Sequence, residues 1–227
     1  MRYIYLHGFA SSPNSAKAKY FRDRFASRHL RLELPDLNQP NFFELTVTRQ
    51  IQQVTHLIQR DTQPVTLIGS SLGGLTAAWV AESELQVQQL LLLAPAFNFL
   101  RHWRSHLGAD QLHQWQTTGS MAVYHYGYQR SCSLSYQFWQ DCQPYCALTP
   151  VNSGPRQPLQ RPVPTHIIHG QRDAVIPIQA SRDYLGINTD NPRGQRPWVK
   201  LIELDSDHTL GNVVSKIWQY MQAELLL

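Results

Sequence analysis

The sequence is poor in cysteine and has no long apolar run, and both shortages limit what it can be. It has three cysteines, Cys132, Cys142 and Cys146. An odd number with no C-x-x-C pair argues against a disulfide framework and against zinc, so we expect free thiols and no metal or other cofactor. No stretch approaches the ~20 apolar residues of a membrane span, and the apolar run after Arg2 is shorter than a signal-peptide core of roughly 7–15 residues. We therefore expect a cytoplasmic protein without a membrane span.

Charge of one sign is not concentrated anywhere along the chain. The 227 residues include 20 Lys and Arg against 16 Asp and Glu, a net charge of +4. The basic residues are scattered, and their densest group is RDRFASRHLR at 22–31. This spacing favours an ordinary solvated surface over nucleic-acid binding. The composition leaves the oligomeric state open.

What the sequence does contain is an alternation of apolar runs and amphipathic stretches. A continuous apolar run such as 89–96 is typical of a strand buried on both faces of a parallel sheet. Stretches such as 44–60 carry apolar residues at helical spacing. This order predicts an α/β fold with a mostly parallel, doubly wound sheet between helices. We predict strands at 3–8, 30–37, 65–70, 89–96, 163–170 and 198–206, and helices at 16–29, 44–60, 75–83 and 212–227.

The alternation stops between Phe97 and Pro162. About 65 residues separate two predicted strands there, whereas connections usually take a few residues. Because this segment is rich in Trp, Tyr and His, we interpret 97–162 as a cap inserted into a single domain of residues 1–227. Its aromatic side chains are candidates to line a substrate pocket, with ordinary packing inside the cap as the alternative for each. We name Trp103, Tyr124 and Trp139 as substrate-binding candidates.

The stretch GSSLG at 69–73 predicts a catalytic serine. It matches G-x-S-x-G only with Ser71 at its centre, and it follows a predicted strand and precedes a predicted helix. In a nucleophile elbow the serine sits on a tight strand-to-helix turn, which small residues two positions away on either side allow. A helix N-terminus also favours developing negative charge. We therefore predict Ser71 as the nucleophile and expect Ser70 to pack or to cap the helix.

A serine hydroxyl needs a base, and the base needs an acid to orient it. Only His208 among ten histidines lies beyond both the elbow and the penultimate predicted strand, so we predict it as the base. In "IIHGQRDAVIP" Asp173 follows a strand by a few residues, and we predict it as the acid. Asp205, Asp207 and Asp141 remain alternatives for that role.

An oxyanion hole requires two donors aimed at the tetrahedral oxygen. We predict the backbone N–H of Leu72, which follows the nucleophile, and that of Phe9, in the loop after the first strand. His7 and His169 each precede a glycine at the end of a strand, and we interpret both as structural.

Together these residues resemble the α/β-hydrolase superfamily. The elbow, the turn "HGQRDAVIP" and "SDH" before the last helix carry the resemblance over nearly the whole chain. More narrowly, "LHGFASSPNSAKA" resembles the start of small bacterial serine esterases of the YqiA/YcfP type. The resemblance implies an α/β-hydrolase fold whose sheet lacks the superfamily's first strands, with Ser71, Asp173 and His208 as the triad and Phe9 and Leu72 as oxyanion donors.

The function that follows is hydrolysis of a small-molecule carboxylic ester or thioester through an acyl-enzyme, without a cofactor. Acyl transfer or peptide-bond cleavage by the same triad is an alternative, because pocket shape selects the acceptor. A non-catalytic α/β-hydrolase-like binding protein is a second alternative. The identity of the acyl group and of the alcohol or thiol stays open.

Overall fold

The computed structural model describes residues 1–146, 161–185 and 198–224. Within these ranges the strands are β1 (Arg2–Leu6), β2 (Leu32–Glu33), β3 (Val65–Ser70), β4 (Val87–Leu93), β5 (Ser120–His125), β6 (Arg130–Ser135), β7 (Thr165–Gly170) and β8 (Val199–Leu204). The helices are α1 (Ala16–Ala26), α2 (Val47–Ile58), α3 (Leu72–Ser83), α4 (Phe99–Thr118), α5 (Gln137–Cys146), α6 (Gln179–Tyr184) and α7 (Val214–Glu224), the last preceded by a 3-10 turn at Gly211–Val213.

Six of these strands form one sheet in the order β2-β1-β3-β4-β7-β8, and every described pair in it is parallel. The predicted mostly parallel sheet is therefore confirmed. All six residues of β3 and all six of β7 are buried, as expected for strands covered on both faces. The carboxyl ends of β1, β3, β4, β7 and β8 meet along one rim of the sheet, which we call the carboxyl edge.

Strand side chains alternate between two hydrophobic cores, one on each face of the sheet. Ile4 and Leu6 of β1 join the core that holds α2, α3 and parts of α4 and α5. Tyr3 and Tyr5 of the same strand join the opposite core, beneath α1 and α7. Burial of these apolar faces, at about 25 cal/mol per Å², is the main force that fixes the helices on the sheet.

The structure corrects the bounds of several predicted elements. The predicted strand 30–37 is much too long, because only Leu32 and Glu33 pair with β1 at the edge of the sheet. The helix predicted at 75–83 begins at Leu72, directly after the elbow serine. The helix predicted at 16–29 ends at Ala26, and His29 follows at φ 58°. The predicted helix 44–60 spans Val47–Ile58, with Thr46 as its N-cap.

The predicted cap region has its own secondary structure between β4 and β7. It consists of α4, an antiparallel β5–β6 hairpin and α5, and we call the described part, residues 97–146, the cap segment. α4 is interrupted at Gly108, which has φ 77° and ψ 167°. Residues 147–160 of the expected insertion lie outside the described residues. The pairing of β5 with β6 was not predicted.

The described residues contain neither a membrane-crossing helix nor a cluster of metal ligands. No helix in those ranges has both the length and the apolar character required to cross a membrane. Nor does any group of three or more His, Cys, Asp or Glu in the same ranges have an arrangement that could hold a metal ion. Cys132 is a free thiol.

Candidate active site

Ser71 lies in the tight turn between β3 and α3 at the carboxyl edge. Its backbone has φ 54° and ψ −118°, a conformation that costs a non-glycine residue of order 1–3 kcal/mol. Neighbouring backbone holds it there, since its N–H donates to Leu93 O at 2.9 Å and its carbonyl accepts from Ala96 N–H at 3.0 Å. The end of β4 thus fixes the strained turn, and the Ser71 side chain makes no capping hydrogen bond to α3.

The positions of Gly69 and Gly73, on either side of Ser71, have no room for a side chain. A Cβ on Gly69 would lie 2.4 Å from the carbonyl oxygen of Gly73. A Cβ on Gly73 would lie 2.2 Å from the carbonyl oxygen of Leu6 and 2.6 Å from that of His7. Real Cβ atoms do not approach backbone this closely, because interiors are already close-packed. The spacing of G-x-S-x-G therefore has a direct steric cause in this fold.

Ser71, His208 and Asp173 form a continuous chain of hydrogen bonds. His208 Nδ1 lies 2.7 Å from Asp173 Oδ2, and His208 Nε2 lies 3.0 Å from Ser71 Oγ. An ionised carboxylate only accepts hydrogen bonds, so Nδ1 carries the ring proton and donates a hydrogen bond to Asp173. Nε2 is then an acceptor, and the Ser71 hydroxyl donates to it. This is the arrangement in which a histidine can take the serine proton.

Asp173 is 6% exposed and is held by several donors. Its Oδ1 accepts from the N–H groups of Val175 and Ile176, and its Oδ2 accepts from His208 and His169. Burial acts to raise the pKa of Asp173, but the hydrogen bonds from His169 and His208 outweigh it and hold the pKa well below the usual range. Asp173 is thus a fixed negative charge behind the imidazole.

The other acids considered from the sequence have different partners. Asp205 forms an exposed ion pair with Arg172. Asp207 accepts from the N–H and the hydroxyl of Thr209. Asp141 accepts from the backbone N–H of Thr48. Among the described residues, Asp173 is the carboxylate found hydrogen-bonded to His208.

The two amides expected to bind an oxyanion lie beside the elbow. The N–H of Leu72 opens α3, and the backbone of Gly8, just before Phe9, runs so close that a Cβ there would lie 3.2 Å from Ser71 Cβ. Within the described parts of the chain, no hydrogen bond to a protein acceptor is found for the N–H of Phe9 or of Leu72. Both N–H groups are therefore available to donate to a substrate oxygen, as an oxyanion hole requires.

Ser70, the neighbour of Ser71, faces the opposite core. Its Oγ accepts a hydrogen bond from Lys17 Nζ at 3.0 Å and also interacts with the buried hydroxyl of Tyr5. Burial lowers the pKa of Lys17 to about 8, although Asp207 and Asp173 act to raise it. The packing role expected for Ser70 fits these contacts.

An aromatic cluster joins the Phe9 loop to the cap segment. The Phe9 ring lies 5.2 Å from Phe138, 5.5 Å from Trp103 and 6.1 Å from Phe99, between ring centroids. Trp103, a predicted lining residue, is therefore placed in direct contact with the loop beside Ser71.

The other two lining candidates differ in their surroundings. Trp139 is nearly buried and borders an open groove of about 450 Å³. Tyr124 is 50% exposed on the hairpin, and its ring packs edge-on against Tyr126. The full set of groove-lining residues is Leu100, Arg101, Arg104, Ser105, Trp139 and Gln143.

Sequence reasoning did not anticipate the position of His169. Its Nε2 lies 3.1 Å from Asp173 Oδ2 and 2.8 Å from Ile176 O, both acceptors, so this nitrogen carries the proton. Its Nδ1 then accepts from the Ser181 hydroxyl at 2.8 Å. His169 is thus the second histidine that donates to the acid. The spacing of His169 and Asp173 in "HGQRD" was the available signal.

Comparison with protein families places the whole chain in one group. The family model described as "Uncharacterised protein family (UPF0227)" matches residues 2–224.

Solved structures match along nearly the full length of the chain. Alpha/beta hydrolase domain-containing protein 10 from mouse matches with a TM-score of 0.70 and 21% identity, over 97% of this chain and 89% of that one. A putative hydrolase from Agrobacterium vitis matches with a TM-score of 0.74 and 19% identity, over 98% and 87%. An esterase from Pyrococcus furiosus matches with a TM-score of 0.61 and 15% identity, over 98% and 81%. These likenesses show the α/β-hydrolase fold.

Proposed function

Because the chain belongs to the UPF0227 family and has the α/β-hydrolase fold, we propose that it is a serine hydrolase acting on carboxylic ester or thioester bonds. One observation carries the proposal: the unbroken chain from Ser71 Oγ through His208 to Asp173, with hydrogen bonds of 3.0 and 2.7 Å. The shared fold of the Pyrococcus furiosus esterase is compatible with this chemistry.

In the proposed reaction Ser71 Oγ attacks the carbonyl carbon while His208 Nε2 takes the hydroxyl proton. The resulting imidazolium keeps its Nδ1–H directed at Asp173, whose low pKa keeps the carboxylate ionised. His208 then gives the proton to the leaving alcohol or thiol, and an acyl-Ser71 ester remains. Water, activated by the same histidine, hydrolyses that ester and restores the serine.

The negative charge that develops on the carbonyl oxygen needs fixed donors. The N–H groups of Leu72 and Phe9 have no protein acceptor among the described residues, and both adjoin Ser71. Each such donor contributes about 10²–10³ to kcat in serine hydrolases. Leu72 also begins α3, so the helix N-terminus adds to the same electrostatic stabilisation.

The substrate we propose is a small molecule whose apolar part contacts the cap segment. Trp103 and Phe138 flank the Phe9 ring, so a bound acyl or alcohol group at this point meets aromatic faces. Trp139 borders the groove between α4 and α5. Tyr124, half exposed on the hairpin, is the weaker of the lining residues proposed.

Hydrolysis of p-nitrophenyl esters and of a thioester of matched acyl length tests the proposal. Ser71→Ala should lower kcat by about 10⁴–10⁶ with an unchanged circular dichroism spectrum. Ser70→Ala is the matched control, because it removes the neighbouring hydroxyl and should retain most of the activity. Equal loss in both variants would contradict the assignment of Ser71, and a folded wild type inactive on every ester and thioester would contradict the function.

A further inference from the structure

His7 is a buried histidine whose hydrogen bonds fix its tautomer. It is 1% exposed, and the backbone N–H of Leu37 points at its Nε2 over 3.0 Å. A peptide N–H can only donate, so Nε2 must accept and carries no proton. The Asp36 carboxylate lies 3.5 Å from the same nitrogen, which is too long for a good hydrogen bond.

The proton of the neutral ring is therefore on Nδ1. Nδ1 lies 2.9 Å from the carbonyl oxygen of Gly8, so His7 donates to that carbonyl. Leu37, which is distant in sequence, thereby forces His7 to hold the carbonyl of the next residue. The consequence extends along the planar peptide unit to the N–H at its other end.

That N–H belongs to Phe9. The peptide bond between Gly8 and Phe9 is trans. Its C=O and N–H therefore point in opposite directions. When His7 fixes the Gly8 carbonyl on one side, the Phe9 N–H is fixed on the other. The same peptide adjoins the elbow, since a Cβ on Gly8 would lie 3.3 Å from Ser70 O and 3.8 Å from Ser71 Oγ.

We propose that His7 is a positioning residue for the oxyanion hole: its Nδ1–H holds the Gly8–Phe9 peptide so that the Phe9 N–H faces the oxygen of the reacting carbonyl. This inference rests on the proposed function and adds a residue that does not touch the substrate. His7 acts only through the peptide it orients.

Two substitutions separate this role from simple packing. The side-chain amide of His7→Asn can replace Nδ1–H as the donor to Gly8 O but leaves the Leu37 N–H without an acceptor. The longer His7→Gln can replace Nε2 as the acceptor for Leu37 but does not supply the donor to Gly8. The two variants therefore each keep one half of the hydrogen-bond set.

The activities and stabilities of the two variants should follow opposite orders. Complete removal of an oxyanion donor costs about 10²–10³ in kcat, so loss of its support in His7→Gln should cost roughly tenfold to a hundredfold, with little change in KM. His7→Asn should recover most of kcat but unfold at lower urea, because a buried N–H is left unpaired. If both properties fall together in the same order, His7 is merely structural and the proposal is overturned.

A second measurement separates this inference from the proposed function. Long-range ¹H–¹⁵N correlation spectra of the wild-type protein report the His7 tautomer without any substrate. We expect a protonated Nδ1 and an unprotonated Nε2, and the opposite tautomer would overturn the inference even in an active enzyme. An enzyme inactive on all esters, but with the expected tautomer, would contradict the proposed function while leaving the His7–Gly8 hydrogen bond in place.

Discussion

The carboxyl edge of the sheet and the cap segment are held in place by different interactions. At the edge, backbone hydrogen bonds fix the candidate site: Ser71 bonds to the backbone at the end of β4, and Asp173 accepts from two backbone N–H groups. In the cap segment, aromatic rings provide much of the contact, and α4 buries only Phe99 and Trp115 within its described length.

This difference indicates that the carboxyl edge and the cap segment have different roles. Hydrogen bonds are directional and fix atoms to a few tenths of an ångström, which proton transfer and oxyanion binding require. Hydrophobic burial of rings is less directional than hydrogen bonding and tolerates volume-conserving changes, which suits recognition of a variable substrate group. We therefore expect substitutions at the edge to lower kcat and substitutions in the cap segment to change substrate preference.

After the loss expected for Ser71→Ala, the largest effect should come from substitution of Asp173, the acid at the carboxyl edge. Asp173→Asn should lower kcat by about 10⁴, because an amide can donate to His208 and favour the wrong tautomer. Asp205→Asn is the matched control, since Asp205 pairs with exposed Arg172 and should leave kcat unchanged. Steady-state kinetics on a p-nitrophenyl ester measure both, and an inactive Asp205→Asn beside an active Asp173→Asn would reverse the assignment.

The next largest difference is expected in the stability cost of replacing a glycine by alanine in each of the two regions. Gly73→Ala should lower the free energy of unfolding by more than about 4 kcal/mol, because its Cβ would collide with backbone 2.2 Å away. Gly119→Ala, at the end of α4, meets nothing within 4 Å and has only its φ of +77° against it, so about 1 kcal/mol is expected. Urea unfolding measures both changes, and equal losses would contradict the comparison.

A smaller effect is expected at His169, through the acid. In His169→Asn the shorter side chain places its amide group too far from Asp173 to donate to it. The substitution therefore removes one of the donors that hold the pKa of Asp173 low. The pKa of Asp173 should rise, the carboxylate should hold the His208 proton more tightly, and the acidic limb of kcat/KM should move to higher pH. We expect a loss of kcat of about tenfold.

His169→Gln is the control for that shift. Its amide nitrogen can occupy the position of Nε2 and donate to Asp173, so the pH profile should stay close to that of the wild type. A profile that shifts equally in both variants, or in neither, would show that His169 only fills space.

The smallest effect is expected in the cap segment. Trp139→Phe should raise KM for the bulkiest esters by about threefold to fivefold and leave kcat for acetate esters unchanged, because it shortens one wall of the groove but keeps an aromatic ring in the core. Tyr124→Ala should do less, since half of that side chain is exposed. A loss of kcat on acetate after Trp139→Phe would mean that the cap segment also positions the edge.

The sequence predicted the edge better than the cap segment for a physical reason. The turn around Ser71 is dictated by neighbours in the chain, Gly69 and Gly73, so a short motif is enough to locate it. The burial of β3 and of the second half of β4 on both faces is likewise indicated by apolar runs in their sequences. The chain order of the candidate base and acid followed from the resemblance to a known superfamily.

What could not be predicted depends on contacts between distant segments. The tautomer of His7 depends on the N–H of Leu37, and that of His169 depends on the Asp173 carboxylate and the Ile176 carbonyl, so sequence reasoning interpreted both residues only as structural. The β5–β6 hairpin was missed because its strands, SMAVYH and RSCSLS, are poor in β-branched residues, although the loop between them contains Gly127. Strand 30–37 was overestimated because alternation continues past Glu33, where pairing with β1 ends.

The central claim is that Ser71 is an activated nucleophile, and a fluorophosphonate probe tests it most directly. Mass spectrometry of the labelled protein locates the modified residue without any assumption about the substrate. We expect a single adduct on Ser71 in the wild type and none in His208→Ala. An adduct on Ser70, or no adduct on a protein shown to be folded, would contradict it.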